Sequence, residues 1–327
     1  MVSKTYLIAL LSLASLIPTD LPAQDSGCTR RTVAVGVVDR EWNLVSGLSA
    51  ANFHGSLRGH DVEILSASID RSPRHIVLLL DASGSMMHAE EAERSISEYL
   101  IRYAPPQASI AQMAFSGRVF ASEGFSQDSL TLLKNLADLL RVREGRSWGS
   151  GKTALYDGIA SARGSLGVPN LGDVVFALTD GGDNNSRLDD IEVKKDMLAA
   201  GVRLFATIIL ASKLTGEATP PEGIEGPGHL HDMVAATGGS DLTLPNIGAS
   251  QPFKYLHIKS SVDAVNLALQ RMFQQMGEFY RLDVRTPATV EKPTKWKLEV
   301  IDASGRPMRG VEVHYPQELM PCPNVGS

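Results

Sequence analysis

Carboxylate and hydroxyl side chains cluster in a short segment directly after an apolar run. The run at residues 76–80 ends at Asp81, and Ser83 and Ser85 follow at alternate positions. A chain that turns here from strand to helix would aim the three side chains at one point. Oxygen ligands of this kind suit a hard cation such as Mg²⁺, Ca²⁺ or Mn²⁺. The segment therefore predicts a metal site, although a D-x-S-x-S string alone is common.

Apolar runs and helical patterns alternate around this segment and must position it. Buried strands are predicted at residues 76–80, 174–178 and 204–210, because continuous apolar runs are typical of parallel strands covered on both faces. A Gly- and Pro-rich loop is predicted at 215–228. Two further strands are predicted at 109–115 and 118–122. Helices are predicted at 89–103, from Asp128 onward, and at 154–166, 189–200, 232–237 and 262–276. The expected fold is α/β, with a doubly wound, mostly parallel sheet that binds ligands at the carboxyl ends of its strands.

The segment at Asp81 resembles the metal-ion-dependent adhesion site of von Willebrand factor type A (VWFA) domains, which opens with this string after the first strand. The resemblance implies a threonine in a second loop and an aspartate after a later strand, and Thr153 and Asp180 stand at those places. It therefore implies that Asp81, Ser83, Ser85, Thr153 and Asp180 hold a divalent cation, with Mg²⁺ expected. Two carboxylates only balance a divalent charge, so the ion keeps a coordination place for a carboxylate from a protein partner.

A basic loop leads to the threonine position. Arg143, Arg146 and Lys152 lie in it around Trp148, while acidic residues surround the later aspartate. Arg and Trp are the residues that often contribute most binding energy at interfaces. We therefore interpret the loop as a candidate partner-binding surface. The alternative is a solvated loop that binds no partner.

The first 23 residues are typical of a secretory signal peptide. Lys4 precedes an apolar run that ends at Pro18, and Ala23 is a small residue suited to cleavage. The alternative is an uncleaved anchor, but the run is shorter than the roughly 20 residues that a spanning helix needs. The protein is expected to be exported, either to the periplasm or out of the cell, with no membrane span once the signal is removed.

Export changes the interpretation of the two cysteines. Cys28 and Cys322 lie near opposite ends of the chain. A disulfide between them would persist outside the cytosol. The alternatives are two free thiols, or a bond from one of them to another molecule.

The two ends of the chain carry the same pattern of strand, Asp-led turn and glycine. Asp39 and Gly47 have the same spacing as Asp302 and Gly310. Neither end has enough strands to bury a core alone. We therefore expect both ends to join in one small β-sandwich-like domain.

This arrangement divides the chain after the signal peptide into three parts. Residues 24–73 and 278–327 form the β domain, and residues 74–277 form a VWFA domain inserted in it or flanked by it. The outline resembles the VWFA-related proteins exported by acidobacteria. The resemblance covers nearly the whole chain after the signal peptide, but its specific motifs lie in the central part.

Composition and motifs narrow the classes of function. The net charge of -6 argues against broad binding to nucleic acid. A G-x-S-x-G string around Ser147 lacks the strand-to-helix turn that a hydrolase nucleophile needs, so no enzyme is expected. The expected function is a metal-dependent binding protein. The alternatives are a metal that acts as a structural or regulatory switch between the two domains, and a metal-dependent hydrolase.

Overall fold

The computed structural model describes residues 28–144, 152–210, 221–244 and 259–322. The predicted signal peptide, Arg146, Ser147 and Trp148 lie outside these ranges. The described strands are β1 (Arg30–Asp39), β2 (Phe53–Leu57), β3 (His60–Asp70), β4 (His75–Asp81), β5 (Ser109–Phe115), β6 (Val119–Ser126), β7 (Val174–Thr179), β8 (Arg203–Ile209), β9 (Asp241–Leu244), β10 (Phe279–Arg285), β11 (Thr294–Val300), β12 (Val311–His314) and β13 (Glu318–Leu319). They form two sheets, of seven and six strands.

The six-stranded sheet is the mostly parallel sheet that the sequence predicts. Its strand order is β6-β5-β4-β7-β8-β9, and only β6 runs antiparallel to its neighbour. Strand β4 lies between β5 and β7, with Asp81 level with Phe115 at the carboxyl ends. The motif residues therefore leave the sheet from a central, buried strand.

Helices cover both faces of this sheet. They are α1 (Glu90–Tyr103), α2 (Ser129–Glu144), α3 (Leu155–Ser165), α4 (Asp190–Ala200), α5 (Pro221–Ala236) and α6 (Lys259–Gly277). Successive side chains of a strand point to opposite faces. Accordingly, Ile76, Leu78 and Leu80 pack with residues of α1, α2 and α6, while Val77 and Leu79 pack with residues of α3, α4 and α5. The doubly wound α/β fold is confirmed.

Two elements of this domain differ from the prediction. Helix α5 begins at Pro221, whereas the sequence predicts a loop up to 228, because Gly and Pro disfavour helix interiors. Here Gly226 lets α5 approach the loop after β7 closely, since a Cβ at this position would collide with the backbone oxygen of Gly181. The short strand β9, which pairs in parallel with β8, was also missing from the prediction.

Both ends of the chain contribute to the seven-stranded antiparallel sheet, as predicted. Its order is β12-β1-β10-β3-β2-β11-β13. It is one sheet around an apolar core that includes Val35, Tyr280 and Trp296, rather than two stacked sheets. The repeated turns also match, because Asp39 and Asp302 each accept backbone hydrogen bonds from residues two and four positions later.

A disulfide joins Cys28 to Cys322. Their Cα atoms are 5.7 Å apart, which is within the usual range for a disulfide. The bond ties the segment before β1 to the segment after β13. The prediction that the cysteines connect the two chain ends is confirmed.

The two sheets meet at a buried cluster of charged and aromatic side chains. The ring of Phe279 lies between two guanidinium groups, 4.6 Å from that of Arg74 and 4.5 Å from that of Arg203. Arg74 donates to Asp70 Oδ1 at 2.6 Å. Arg203 donates to the backbone oxygens of Gln275 and Met276, at the end of α6. We call Asp70, Arg74, Arg203 and Phe279 the junction cluster.

Within the described ranges, no helix is long and apolar enough to cross a membrane.

Candidate metal centre

Asp81 is fixed at the carboxyl end of β4 by hydrogen bonds to both of its carboxylate oxygens. The backbone N–H of Ser83 donates to Oδ1 at 2.9 Å, and the hydroxyl of Thr179 donates to Oδ2 at 2.6 Å. The side chain is fully buried. Its position is therefore determined by its own loop and by the neighbouring strand β7.

The two serines of the motif lie side by side after this strand. Ser83 has an extended backbone and precedes a 3-10 helix, Gly84–His88. This turn brings the hydroxyl oxygens of Ser83 and Ser85 to 3.1 Å from each other. Ser83 is buried and Ser85 is exposed, so the pair reaches from the interior to the surface.

Asp180 follows β7, the strand next to β4. It is 7% exposed, and its Oδ1 accepts a hydrogen bond from the backbone N–H of Gly182 at 3.1 Å. Gly181, between them, has a φ of 86°, which favours glycine. The backbone of Pro227 in α5 packs against this glycine and leaves no room for a Cβ. A sharp turn under α5 thus holds Asp180 near Asp81.

Thr153 lies in a loop that is fastened to the loop after β7. Its backbone N–H donates to Asn184 Oδ1 at 2.8 Å, and its backbone oxygen accepts from the N–H groups of Asn184 and Asn185. The backbone N–H of Ala154 donates to the oxygen of Ser116, in the loop after β5. Thr153 is 7% exposed. The loops after β5 and β7, at the same edge of the sheet, therefore hold it in place.

The electrostatics of the site are unfavourable for two free carboxylates. Burial and the nearby charge of Asp180 raise the pKa of Asp81 to about 7, although hydrogen bonds from Ser83 and Thr179 oppose the shift. In the described part of the chain, no Lys, Arg or His forms an ion pair with either carboxylate. Buried charges without a partner are costly, so this arrangement favours the entry of a cation.

The donor set fits a hard divalent cation. It combines two carboxylates with the hydroxyls of two serines and a threonine, all of them oxygen donors. The described residues contain no group of three or more His, Cys, Asp or Glu side chains that could hold a metal ion. Any site here must therefore include hydroxyl oxygens, as the motif implies.

Sequence reasoning missed the residues that hold the predicted donors in place. The hydroxyl of Thr179 donates a hydrogen bond to Asp81. The side chain of Asn184 accepts a hydrogen bond from the backbone N–H of Thr153. A Thr-Asp pair at the end of an apolar run was visible in the sequence. Nothing in the sequence, however, showed that this threonine would bond to an aspartate on another strand.

Only part of the predicted partner-binding surface is described. Lys152 is exposed beside the threonine position, and Arg143 lies in the last turn of α2. The nearby acidic residues have local roles. Asp189 and Glu192 form the capping box of α4, and Asp183 accepts hydrogen bonds from Ser186.

Solved structures that are similar to the chain include VWFA-type proteins. The protein described as von Willebrand factor type A from Catenulispora acidiphila is 13% identical, with a TM-score of 0.40, over 89% of this chain and 74% of its own. The conserved hypothetical protein BatB from Bacteroides thetaiotaomicron is 17% identical, with a TM-score of 0.43, over 62% and 98%. An aerotolerance-related membrane protein from Bacteroides fragilis is 14% identical, with a TM-score of 0.42, over 62% and 99%.

No family model matches the chain, and no curated protein matches it. The solved structures share too few residues with it to transfer a function. What the chain does must therefore be argued from its own residues.

Proposed function

We propose that this chain binds a divalent cation through Asp81, Ser83, Ser85, Thr153 and Asp180. Mg²⁺ is the preferred ion, with Ca²⁺ and Mn²⁺ as alternatives. The main support is the burial of two interacting carboxylates beside converging hydroxyls. A divalent ion would neutralise both carboxylates, and every proposed donor is an oxygen atom.

We further propose that the bound ion engages a carboxylate of a protein partner. The ion would supply a positive charge and a free coordination place at the protein surface. Asp81 and Asp180 balance the charge from inside, whereas the neutral hydroxyl of Ser85 leaves the outer side open. We propose a role in binding rather than in catalysis, because the bound ion would engage all five donor side chains.

We further propose that the basic loop beside the metal centre forms the surface that contacts the partner. Lys152 is exposed beside the metal centre, and we assign Arg143, Arg146 and Trp148 to the same surface. A partner that offers a carboxylate would be attracted by these bases. The double variant Arg146→Glu with Trp148→Ala should weaken partner binding and leave metal affinity unchanged. Unchanged partner affinity would refute the assignment.

We propose that the protein acts outside the cytosol, in the periplasm or beyond the cell, after removal of residues 1–23. The disulfide between Cys28 and Cys322 supports this location, since such bonds are rare in a reducing cytosol. Detection of the mature chain, beginning near Gln24, in an exported fraction would test it.

Metal binding can be tested by thermal unfolding. Adding Mg²⁺ or Mn²⁺ to chelator-treated protein should raise the melting temperature by mass action, and chelator should reverse the shift. Asp81→Ala should abolish the shift. Asp138→Ala is the matched control, because Asp138 is 44% exposed and pairs with Arg141 on its own helix. A shift that survives Asp81→Ala would refute the site.

Partner binding needs a separate test. Proteins captured from the native surface or culture fluid should be retained with Mg²⁺ and released by chelator. Asp81→Ala should retain none of them. Capture that is independent of both chelator and this substitution would refute the role of the metal in partner binding.

A second candidate function is a metal-dependent switch between the two domains. It is favoured by the connection between the domains, because the chain passes directly from α6 into β10. Arg203 of the central sheet also donates hydrogen bonds to the last carbonyl groups of α6. A shift of α6 would therefore reach the β domain directly. Hydrogen exchange at residues 275–280 should then change on metal addition. Unchanged exchange there, in protein whose melting temperature responds to metal, would exclude the switch.

A further inference from the structure

A cleft of about 310 Å³ lies at the opposite end of the parallel sheet from the candidate metal centre. It is bordered by the start of β1, the end of α4 and the last described segment of the chain, up to Cys322. Leu171 and Val202, which line it, precede β7 and β8, whereas Asp81 and Asp180 follow strands. The cleft is therefore a separate site.

The walls of this cleft are mainly apolar. Side chains from both domains line it, including Val33 and Leu319 from the β domain and Leu198 and Ala199 from α4. Clefts between domains are preferred places for small ligands, and known ligand cavities measure roughly 300–1,000 Å³. This volume is at the lower limit, so its ligand must be small and have an apolar body.

Among the charged residues that line the cleft, basic residues outnumber acidic ones. Arg31 and Arg203 line it together with a single carboxylate, that of Glu318. Glu318 already pairs with Lys194 at 3.6 Å. Arg31 donates to the backbone oxygens of Arg30 at 3.1 Å and Met320 at 3.4 Å and contacts Cys322 Sγ at 2.8 Å, but it forms no ion pair with any carboxylate of the described residues. Arg203 is 2% exposed, and its Nε has no hydrogen-bond partner there. The guanidinium group of Arg31 is therefore the positive charge that a ligand in this apolar cleft can reach.

We propose that this cleft binds a small monocarboxylate with an apolar body, such as a medium-chain fatty acid. The apolar body would contact Val33, Leu198 and Leu319, and the carboxylate would pair with the guanidinium group of Arg31. Arginine presents paired N–H donors that match a carboxylate, and such bonds are stronger than neutral ones. No part of this site is shared with the proposed metal centre.

The binding experiment compares three probes that have the same eight-carbon chain. Octanoate, octanol and octylamine are titrated into the full-length protein by calorimetry, with chelator present so that no carboxylate can bind through a cation. Octanoate should bind saturably, with one molecule per chain, and at least about tenfold more tightly than octanol, because a charge-assisted hydrogen bond is worth roughly 1.5–3 kcal/mol. Octylamine should not bind. Absence of octanoate binding, or equal affinity for octanol, would overturn the proposal.

Two pairs of variants locate the ligand. Arg31→Gln should reduce octanoate affinity about tenfold, whereas Arg30→Gln, at the neighbouring exposed position, should not. Ala199→Trp should fill the mouth of the cleft and abolish binding, and Val168→Trp is its control, because Val168 is 97% exposed and lies outside the cleft. Octanoate binding that survives Ala199→Trp would overturn the proposal. Because chelator is present throughout, a failure of octanoate to bind would leave the metal proposal intact. A failure of metal binding would likewise leave the proposal for the cleft intact.

Discussion

Buried charges lie at both ends of the parallel sheet, but among the described residues only one end contains an ion pair. At the junction cluster, Asp70 pairs with Arg74, and Arg203 bonds to the last carbonyl groups of α6. At the metal centre, Asp81 and Asp180 are both acidic, and no described cation forms an ion pair with them.

The same physical rule gives the two regions different roles. Burying a charge is costly unless a partner and hydrogen bonds compensate for it. In the junction cluster, Asp70 and Arg74 pair with each other, and backbone oxygens accept hydrogen bonds from Arg203, so these charges serve the structure of the protein. No described cation compensates the candidate metal centre, so we propose that its charges serve a bound ion. Substitutions at the two ends should therefore affect stability in opposite directions.

The largest effect is expected from Arg203→Met. The substitution leaves the last carbonyl groups of α6 without their donors and removes one of the two guanidinium groups beside Phe279. We expect the free energy of unfolding in urea to fall by roughly 3–5 kcal/mol, because each buried carbonyl group left without a donor costs about 1–3 kcal/mol. Arg102→Met is the control, since Arg102 makes an exposed pair with Glu98, and such pairs are worth at most about 1 kcal/mol. Equal losses in the two variants would contradict a structural role for the junction cluster.

A smaller effect, dependent on pH, is expected from Asp70→Asn. Burial alone would raise the pKa of Asp70, but hydrogen bonds from Ser72 and Arg74 outweigh it and lower the pKa from 3.8 to about 2. The charged carboxylate therefore stabilises the fold above pH 3.8, and this contribution is lost as the pH falls through about 2. The substitution should cost about 2 kcal/mol at neutral pH and little at pH 2. Urea unfolding across this range measures both values, and a loss that does not change with pH would contradict the assignment.

The smallest effect, with the opposite sign, is expected from Asp81→Asn in protein without metal. The amide keeps the oxygen that accepts from Ser83, replaces the oxygen that accepts from Thr179 with an N–H₂ group that can donate to the same hydroxyl, and removes the charge that burial and Asp180 disfavour. At pH 8 we expect the free energy of unfolding to rise by about 1 kcal/mol. Urea unfolding in chelator measures it. A loss of stability similar to that of Asp70→Asn would contradict the difference between the two ends of the sheet.

The sequence predicted the donors of the candidate site better than the contacts that hold them. Asp81, Ser83 and Ser85 belong to a local string, and the apolar run before them specified a strand that ends at that point. Local spacing cannot show that Thr179 bonds to Asp81, because the two residues meet only when their strands pair. The junction cluster was missed for the same reason, since Arg74, just before β4, and Arg203, at the start of β8, are far apart in the sequence and meet at Phe279.

The helices and strands show the same difference, since local sequence signals were predictable and long-range contacts were not. Strands β4, β7 and β8 were predicted because continuous apolar runs carry their own signal. Helix α5 was predicted too short because Gly226 and Pro227 disfavour helices locally, while the close contact with Gly181 that explains Gly226 is long-range. Pairing of the chain ends was predictable in outline from the repeated turns, but the strand order was not.

Direct measurement of Mn²⁺ binding tests the central claim. Electron paramagnetic resonance counts free Mn²⁺ during titration of the full chain, for the wild type, Asp81→Asn and Asp70→Asn. The account predicts one bound Mn²⁺ per chain that Mg²⁺ displaces, loss of that binding in Asp81→Asn, and unchanged binding in folded Asp70→Asn. Absence of Mn²⁺ binding to the wild type, or equal binding to Asp81→Asn, would contradict it.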